Sequence, residues 1–299
     1  MKINEHVNLA RGSSKLLLTM PHSGTCLPDI PHKLDLEKDY VRKAMNARTD
    51  YCVPFVTGFH EQDEVSKVWT TLTALAIDVN RGSDNVDKYS LDGATTQSNP
   101  HGLIWRASAE TDVKKIRDLL TAPYRREELQ ELMELGWHPY IDNVREEMFR
   151  LKAEHGIAIN FALHSMPNSI PSQVRDGKYK NAYLFSKPVE RGLISEGKMP
   201  DFVLLDRGED TCSPEISDLV METFQDYNFL IERNHVAPSS ITSPRTYINP
   251  KKGLHFLGIE VVGHTFEPKR MQGALEYNPQ GEAEVRDVFN DVFEKLKNY

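Results

Sequence analysis

The sequence predicts a single α/β domain, spanning residues 1–299, with a mainly parallel central sheet flanked by helices. Three observations carry that expectation. Short apolar runs bounded by turn residues recur along the chain, stretches with helical spacing lie between them, and no repeat or linker divides the 299 residues. A chain of this length, 39% hydrophobic, buries roughly three quarters of its unfolded surface on folding, so its core needs no staples.

The elements follow in order. Lys15–Met20 (KLLLTM) reads as a buried strand stopped by Pro21. Leu36–Ala47 is charged, with apolar positions at helical spacing. Trp69–Val79 (WTTLTALAIDV) reads as one long strand or two short ones. Gly82–Arg106 is rich in Gly, Asn, Asp and Pro and reads as a long loop, as does Val236–Gly253; such loops often line sites. Ile141, Val144, Met148 and Leu151 recur every three or four residues, and Gly156 stands where a helix C-cap belongs. Ile157–Leu163 (IAINFAL), Phe202–Leu205 (FVLL) and His255–Val262 (HFLGIEVV) are further strands. Val285, Val288, Phe289, Val292, Phe293 and Leu296 form the apolar face of a C-terminal helix.

Composition excludes some classes of function. A net charge of −8 argues against a general nucleic-acid binder, which needs a basic stripe. It also means that an anionic substrate needs local positive charge, from arginine or a metal. The three cysteines, Cys26, Cys52 and Cys212, are widely spaced and read as reduced cytosolic thiols. The N-terminal MKINEHVNLARGSSK lacks the apolar core of a signal peptide, and no stretch approaches the roughly 20 apolar residues of a membrane span. The expected location is the cytoplasm, with no membrane partner.

Candidate chemistry clusters just beyond the carboxyl ends of apolar strands, where open α/β sheets bind ligands. Pro21-His22-Ser23-Gly24 follows one strand, and His164-Ser165-Met166-Pro167 follows another with the same pattern. Two such turns suggest a two-histidine metal site completed by a carboxylate and a water; the donor set suits zinc, and iron, nickel or manganese would also fit. Asp78-Val79-Asn80-Arg81 ends the run LTALAI, and Arg81 beside Asn80 can grip a carboxylate with a planar fork and an amide donor. The alternative for Arg81 is an ordinary surface ion pair. Glu260 lies inside the strand LGIEVV, where a carboxylate is costly unless it is paired or serves as a proton shuttle. Asp50 opens an apolar stretch and could equally be a helix N-cap. Asp206-Arg207-Gly208 is another polar turn at a strand end, and Asn234 follows the apolar run NFLI. Ser23 and Ser165 lie in no G-x-S-x-G elbow, which weakens a serine-hydrolase reading.

Taken in order, PHSG at His22, TDY at Asp50, DVNR at Asp78–Arg81, LHSMP at His164, LLDRGEDTCS near Asp206 and IEV at Glu260 resemble the N-formylglutamate amidohydrolase family, from about Met20 to Val262. The resemblance implies a zinc-carboxypeptidase-like (phosphorylase/hydrolase-like) α/β fold with a mixed sheet. It implies zinc-dependent hydrolysis of a small, carboxylate-bearing N-acyl amino acid such as N-formyl-L-glutamate. By the same resemblance, His22, Asp50 and His164 would be the metal ligands, and Glu260 would activate water. Arg207 would help at the carbonyl, while Asn80, Arg81, Asn234 and Ser165 would line the substrate site. His138 could orient a site group or simply cap structure, and Asp206 would be a supporting residue. Two departures stand out: Ala162 occupies the acidic position of the family's D-x-H-S, and Asn234 is followed by His-Val-Ala-Pro where Asn-x-Pro-Tyr is usual. The competing expectations are another zinc peptidase or deacylase, a non-catalytic binding relative, and a structural or interaction protein.

Overall fold

The computed structural model describes residues 5–39, 41, 50, 53–95, 102–105, 119–166, 200–234, 247–262, 265, 269–271, 274–276 and 279–299. Seven strands form one sheet: β1 (Val7–Ala10), β2 (Leu16–Met20), β3 (Ser66–Thr70), β4 (Ala158–Met166), β5 (Phe202–Leu205), β6 (Ile231–Arg233) and β7 (Leu254–Val262). Their order across the sheet is β1-β3-β2-β4-β7-β5-β6. The centre, β3-β2-β4-β7, is parallel; β1 runs antiparallel to β3, and β5 antiparallel to β7. A separate ribbon pairs β8 (Lys269–Met271) with β9 (Ala274–Glu276). The helices used below are α1 (Arg126–Leu132), α2 (His138–His155), α3 (Pro214–Asp226) and α4 (Pro279–Asn298). No helix among the described residues is long and apolar enough to cross a membrane.

Strand alternation explains the layers. Leu16, Leu18 and Met20 of β2, Ile159, Phe161 and Leu163 of β4, and Leu257, Ile259 and Val261 of β7 share the main cluster with Val285, Val288, Phe289, Val292, Phe293 and Leu296 of α4 and Ile216, Val220 and Phe224 of α3. The intervening residues face the other way, where Leu17, Val68 and Ala158 meet Tyr140, Val144, Met148 and Leu151 of α2. His164 and Glu260 fall on this second face by the same parity. Helix α2 ends at Gly156, whose φ of 76° only glycine adopts freely and whose N–H reaches the Lys152 carbonyl.

Two expectations need correction. Trp69–Val79 is not a strand. β3 begins earlier, at Ser66, and stops at Thr70; Leu72, Leu75, Ala76 and Ile77 are buried in turns. The reason is local: the Thr70 and Thr73 hydroxyls accept from the N–H groups of Leu72 and Leu75, which turns the backbone away from a ladder. That apolar run instead feeds a second cluster, with Leu103, Trp105, Leu120, Tyr124 and Leu132, set apart from the main one. Likewise, His164 and Ser165 lie within β4 and not in a turn after it, because pairing with β7 continues to Met166 opposite Val262. The predicted helix Leu36–Ala47 and the loop Val236–Gly253 fall mostly outside the described residues, as do Cys52 and Arg106.

Candidate metal centre

The register of the central strands assembles the centre. His164 is level with Glu260 on β7, and Thr19 of β2 is level with Ala162, so His22 emerges from β2 beside His164. The two imidazole centroids are 5.1 Å apart. Asp50 is tied to the same place by its own N–H, which donates to the His22 carbonyl at 3.1 Å. Among the described residues its carboxylate accepts from no helical N–H. Oδ1 accepts from the Ser165 N–H at 3.1 Å and the Ser165 hydroxyl at 2.7 Å. Oδ2 stands 3.6 Å from His22 Nδ1 and 3.4 Å from His164 Nδ1.

That Oδ2 atom is buried and has no hydrogen-bond partner among the described residues. An orphaned buried carboxylate oxygen between two ring nitrogens is expensive unless a cation completes it. Donors about 2.0–2.1 Å from a tetrahedral ion lie roughly 3.3–3.4 Å apart, close to the spacings seen here. His22, Asp50 and His164 each offer one ligand atom, all within 4.8 Å of one another. The residues present therefore fit a single divalent metal ion.

The other ring nitrogen of His22 explains how it is oriented. Nε2–H donates to Asp78 Oδ1 at 2.9 Å, leaving Nδ1 for the centre. Asp78 is completely buried and is held on four sides: by His22, by the Asn80 N–H at 2.9 Å, by the Trp105 indole N–H at 2.8 Å, and by the Arg81 guanidinium, whose Nε is 3.4 Å from Oδ2. Gly24 allows the His22 loop to lie against the segment leading to Asp78. A Cβ there would meet Thr71 and Leu72 backbone at 2.3 Å, and paired bonds between Cys26 and Thr71–Thr73 lock the approach.

Electrostatics follow the geometry. Burial, the largest influence on His22, disfavours its charge, but Asp78 and Asp50 outweigh it and raise the imidazole to about 10. Burial likewise pushes Asp50 and Asp78 upward, and it is overcome: His164 and His22 hold Asp50 far below the usual carboxylate range, while His22, Arg81 and Trp105 do so for Asp78. His164 is lowered by burial, with the His22 charge adding to it. Glu260 is raised well above its ordinary value by burial and by Asp50, against the pull of His22 and Arg81. A metal ion would take the place of the proton shared between His22 and its carboxylates.

The structure brings together His22, Asp50, His164, Ser165, Asp78, Asn80, Arg81 and Glu260. His138 begins α2 at this same end of the sheet, next to Trp137, whose indole N–H donates to the Arg81 carbonyl at 2.8 Å. It does not bring Asp206, Arg207 and Asn234 here. Because β5 is antiparallel to β7, with Val203 opposite Glu260 and Leu205 opposite Gly258, the chain leaves β5 heading away from Glu260. There Asp206 forms a hub with Ser217 (2.8 Å), the Arg233 guanidinium (Nε 2.6 Å) and the Asn234 amide (2.6 Å). Asn234 Oδ1 in turn accepts from the N–H groups of Asp206 and Arg207. Burial opposes the Asp206 charge, but these donors hold its carboxyl below the usual range. Arg207 and Glu209 take left-handed backbone, φ 58° and 75°, around that hub.

Two further residues shape this centre. Asp78 was visible as the acidic end of an apolar run but carried no role of its own; Trp105 gave no signal, since only the fold sets it beside Asp78.

The N-formylglutamate amidohydrolase family profile matches residues 14–266. An N-formylglutamate deformylase of Pseudomonas aeruginosa is 26% identical over 298 residues, covering 98% of this chain and 97% of that protein. One of Pseudomonas putida is 26% identical over 260 residues, covering 86% and 83% respectively. Among solved structures, N-formylglutamate amidohydrolase from Ralstonia eutropha superposes with a TM-score of 0.74 at 22% identity, covering 98% of both chains. A gene product of Agrobacterium tumefaciens gives 0.60 at 12% identity, covering 97% and 96%.

Proposed function

The chain belongs to the N-formylglutamate amidohydrolase family, and from that premise we propose that it is a zinc-dependent amidohydrolase that splits N-formyl-L-glutamate into formate and glutamate. The observation that supports the metal most strongly is the buried Asp50 Oδ2, without a hydrogen-bond partner among the described residues, between the two Nδ1 atoms and beside Glu260 on the next strand. In this reading the chain is one domain of zinc-carboxypeptidase-like type, and its free Cys26 and Cys212 suit a reducing cytoplasm.

His22, Asp50 and His164 hold the ion. Zinc bound there would polarise the scissile carbonyl, acidify water and favour the carboxylate form of Glu260. Glu260 takes a proton from the attacking water as its oxygen adds to the formyl carbon, and returns that proton to the nitrogen as the C–N bond breaks. Arg81, with Asn80, receives the substrate carboxylate and holds the amide in place; such positioning supplies several kcal/mol, on the order of 7 in favourable cases. Ser165 orients Asp50. Arg207, at the far end of β5, has no part in this scheme.

The test is metal analysis of protein purified without chelator, together with formate release from N-formyl-L-glutamate. We expect about one zinc per chain, lost with activity in His22→Ala and His164→Ala. Metal-free protein with full activity would refute the proposal, and cleavage only of other N-acyl amino acids would redirect its substrate.

A further inference from the structure

We infer that Trp105 is a positioning residue for this reaction: its indole N–H fixes Asp78, and through Asp78 both the metal ligand His22 and the substrate-facing Arg81. This rests on the metal-centred reading above and deepens it.

The indole Nε1 donates to Asp78 Oδ2 at 2.8 Å. Oδ2 also faces the Arg81 Nε, whereas Oδ1 takes the His22 Nε2–H and the Asn80 N–H. One carboxylate therefore divides its acceptor sites between the metal side and the substrate side, and a tilt of its plane would disturb both. Among the described donors to this carboxylate, the indole alone comes from outside these two sides. It is held by packing: Trp105 lies in the second apolar cluster with Leu75, Ile77 and Leu103, and the Asp78 N–H donates to the Leu103 carbonyl at 2.8 Å. The segment 102–105 thus grips Asp78 by its backbone and by its carboxylate together. A metal-bound imidazole depends on the acceptor at its other nitrogen for orientation and basicity. Removing the brace behind that acceptor should act in the same direction, more weakly.

The experiment compares Trp105→Phe, Asp78→Asn and the double variant. Zinc affinity is measured by competition with a chromophoric chelator in the absence of substrate, and kcat and KM are measured at saturating zinc. Trp105→Phe should weaken zinc about three- to tenfold, below the roughly 10–100-fold expected for losing the acceptor itself. It should raise KM for N-formylglutamate by about the same factor while kcat changes less. In the Asp78→Asn background, Trp105→Phe should have little further effect, because the two groups act as one unit. Trp105→Leu repeats the comparison with a second side chain that lacks a donor, and thermal melts confirm folding. The inference is overturned if zinc affinity and KM are both unchanged, or if the effects of the two substitutions multiply. Wild-type protein that binds no zinc would be a separate result and would refute the proposed metal instead.

Discussion

Ser165→Ala separates two roles that one hydroxyl could play. The sequence motif suggests a substrate contact; the structure shows the Ser165 hydroxyl donating to Asp50 Oδ1 at 2.7 Å, with the Ser165 N–H on the same oxygen at 3.1 Å. A hydrogen bond to a charged group contributes about 1.5–3 kcal/mol. The backbone donor survives the substitution and Ser165 itself is only partly buried, so the lower end applies, about 1.5 kcal/mol. At roughly 1.4 kcal/mol per factor of ten, zinc should bind about tenfold more weakly. Chelator competition on the substrate-free protein measures this directly, and KM at saturating zinc should stay near its wild-type value. Unchanged zinc affinity with a raised KM would refute the argument and return Ser165 to the substrate.

Three other outcomes are expected. Glu260→Gln should keep its zinc but lose at least about a hundredfold in kcat, the usual contribution of a positioned acid–base group; normal turnover would remove Glu260 from the mechanism. Arg81→Ala should raise KM for N-formylglutamate far more than it lowers kcat, as checked by steady-state kinetics against an N-formyl amino-acid amide. For stability, Asp206 has a folded-state carboxyl below its unfolded value, so its contribution is present above roughly pH 4 and is lost as pH falls through the lower folded value. Asp206→Asn should therefore cost about 2–3 kcal/mol at neutral pH, less at pH 3, in urea titrations; a loss independent of pH would contradict the ionised hub.

Legibility in the sequence followed physical rules. His22, His164 and Glu260 stand out in the sequence because a polar residue at the end of, or inside, an apolar run is costly and demands a reason. The C-terminal helix and the Gly156 stop were readable from spacing and from a backbone need. The turns at Thr70 and Thr73 were not, because a hydroxyl that captures a backbone N–H leaves hydrophobicity unchanged while redirecting the chain. Nor could the fate of Asp206, Arg207 and Asn234 be read: they follow a strand as His22 does, and only the direction of β5 against β7 separates them from the centre. Residue pairing across long separations, such as Ser165 with Asp50 or Trp105 with Asp78, exists only once the sheet and its loops are assembled.

The three proposed ligands come from remote stretches of chain, and two of them are anchored at the central strands β2 and β4. Fraying of the edge strands β1 or β6 would leave both histidines in place. An ion held there would act as a fastener for the whole fold, adding about 4 kcal/mol when its free concentration is a thousand times its dissociation constant. Chelation would then register as a fall in melting temperature, even in a variant that can no longer turn over substrate.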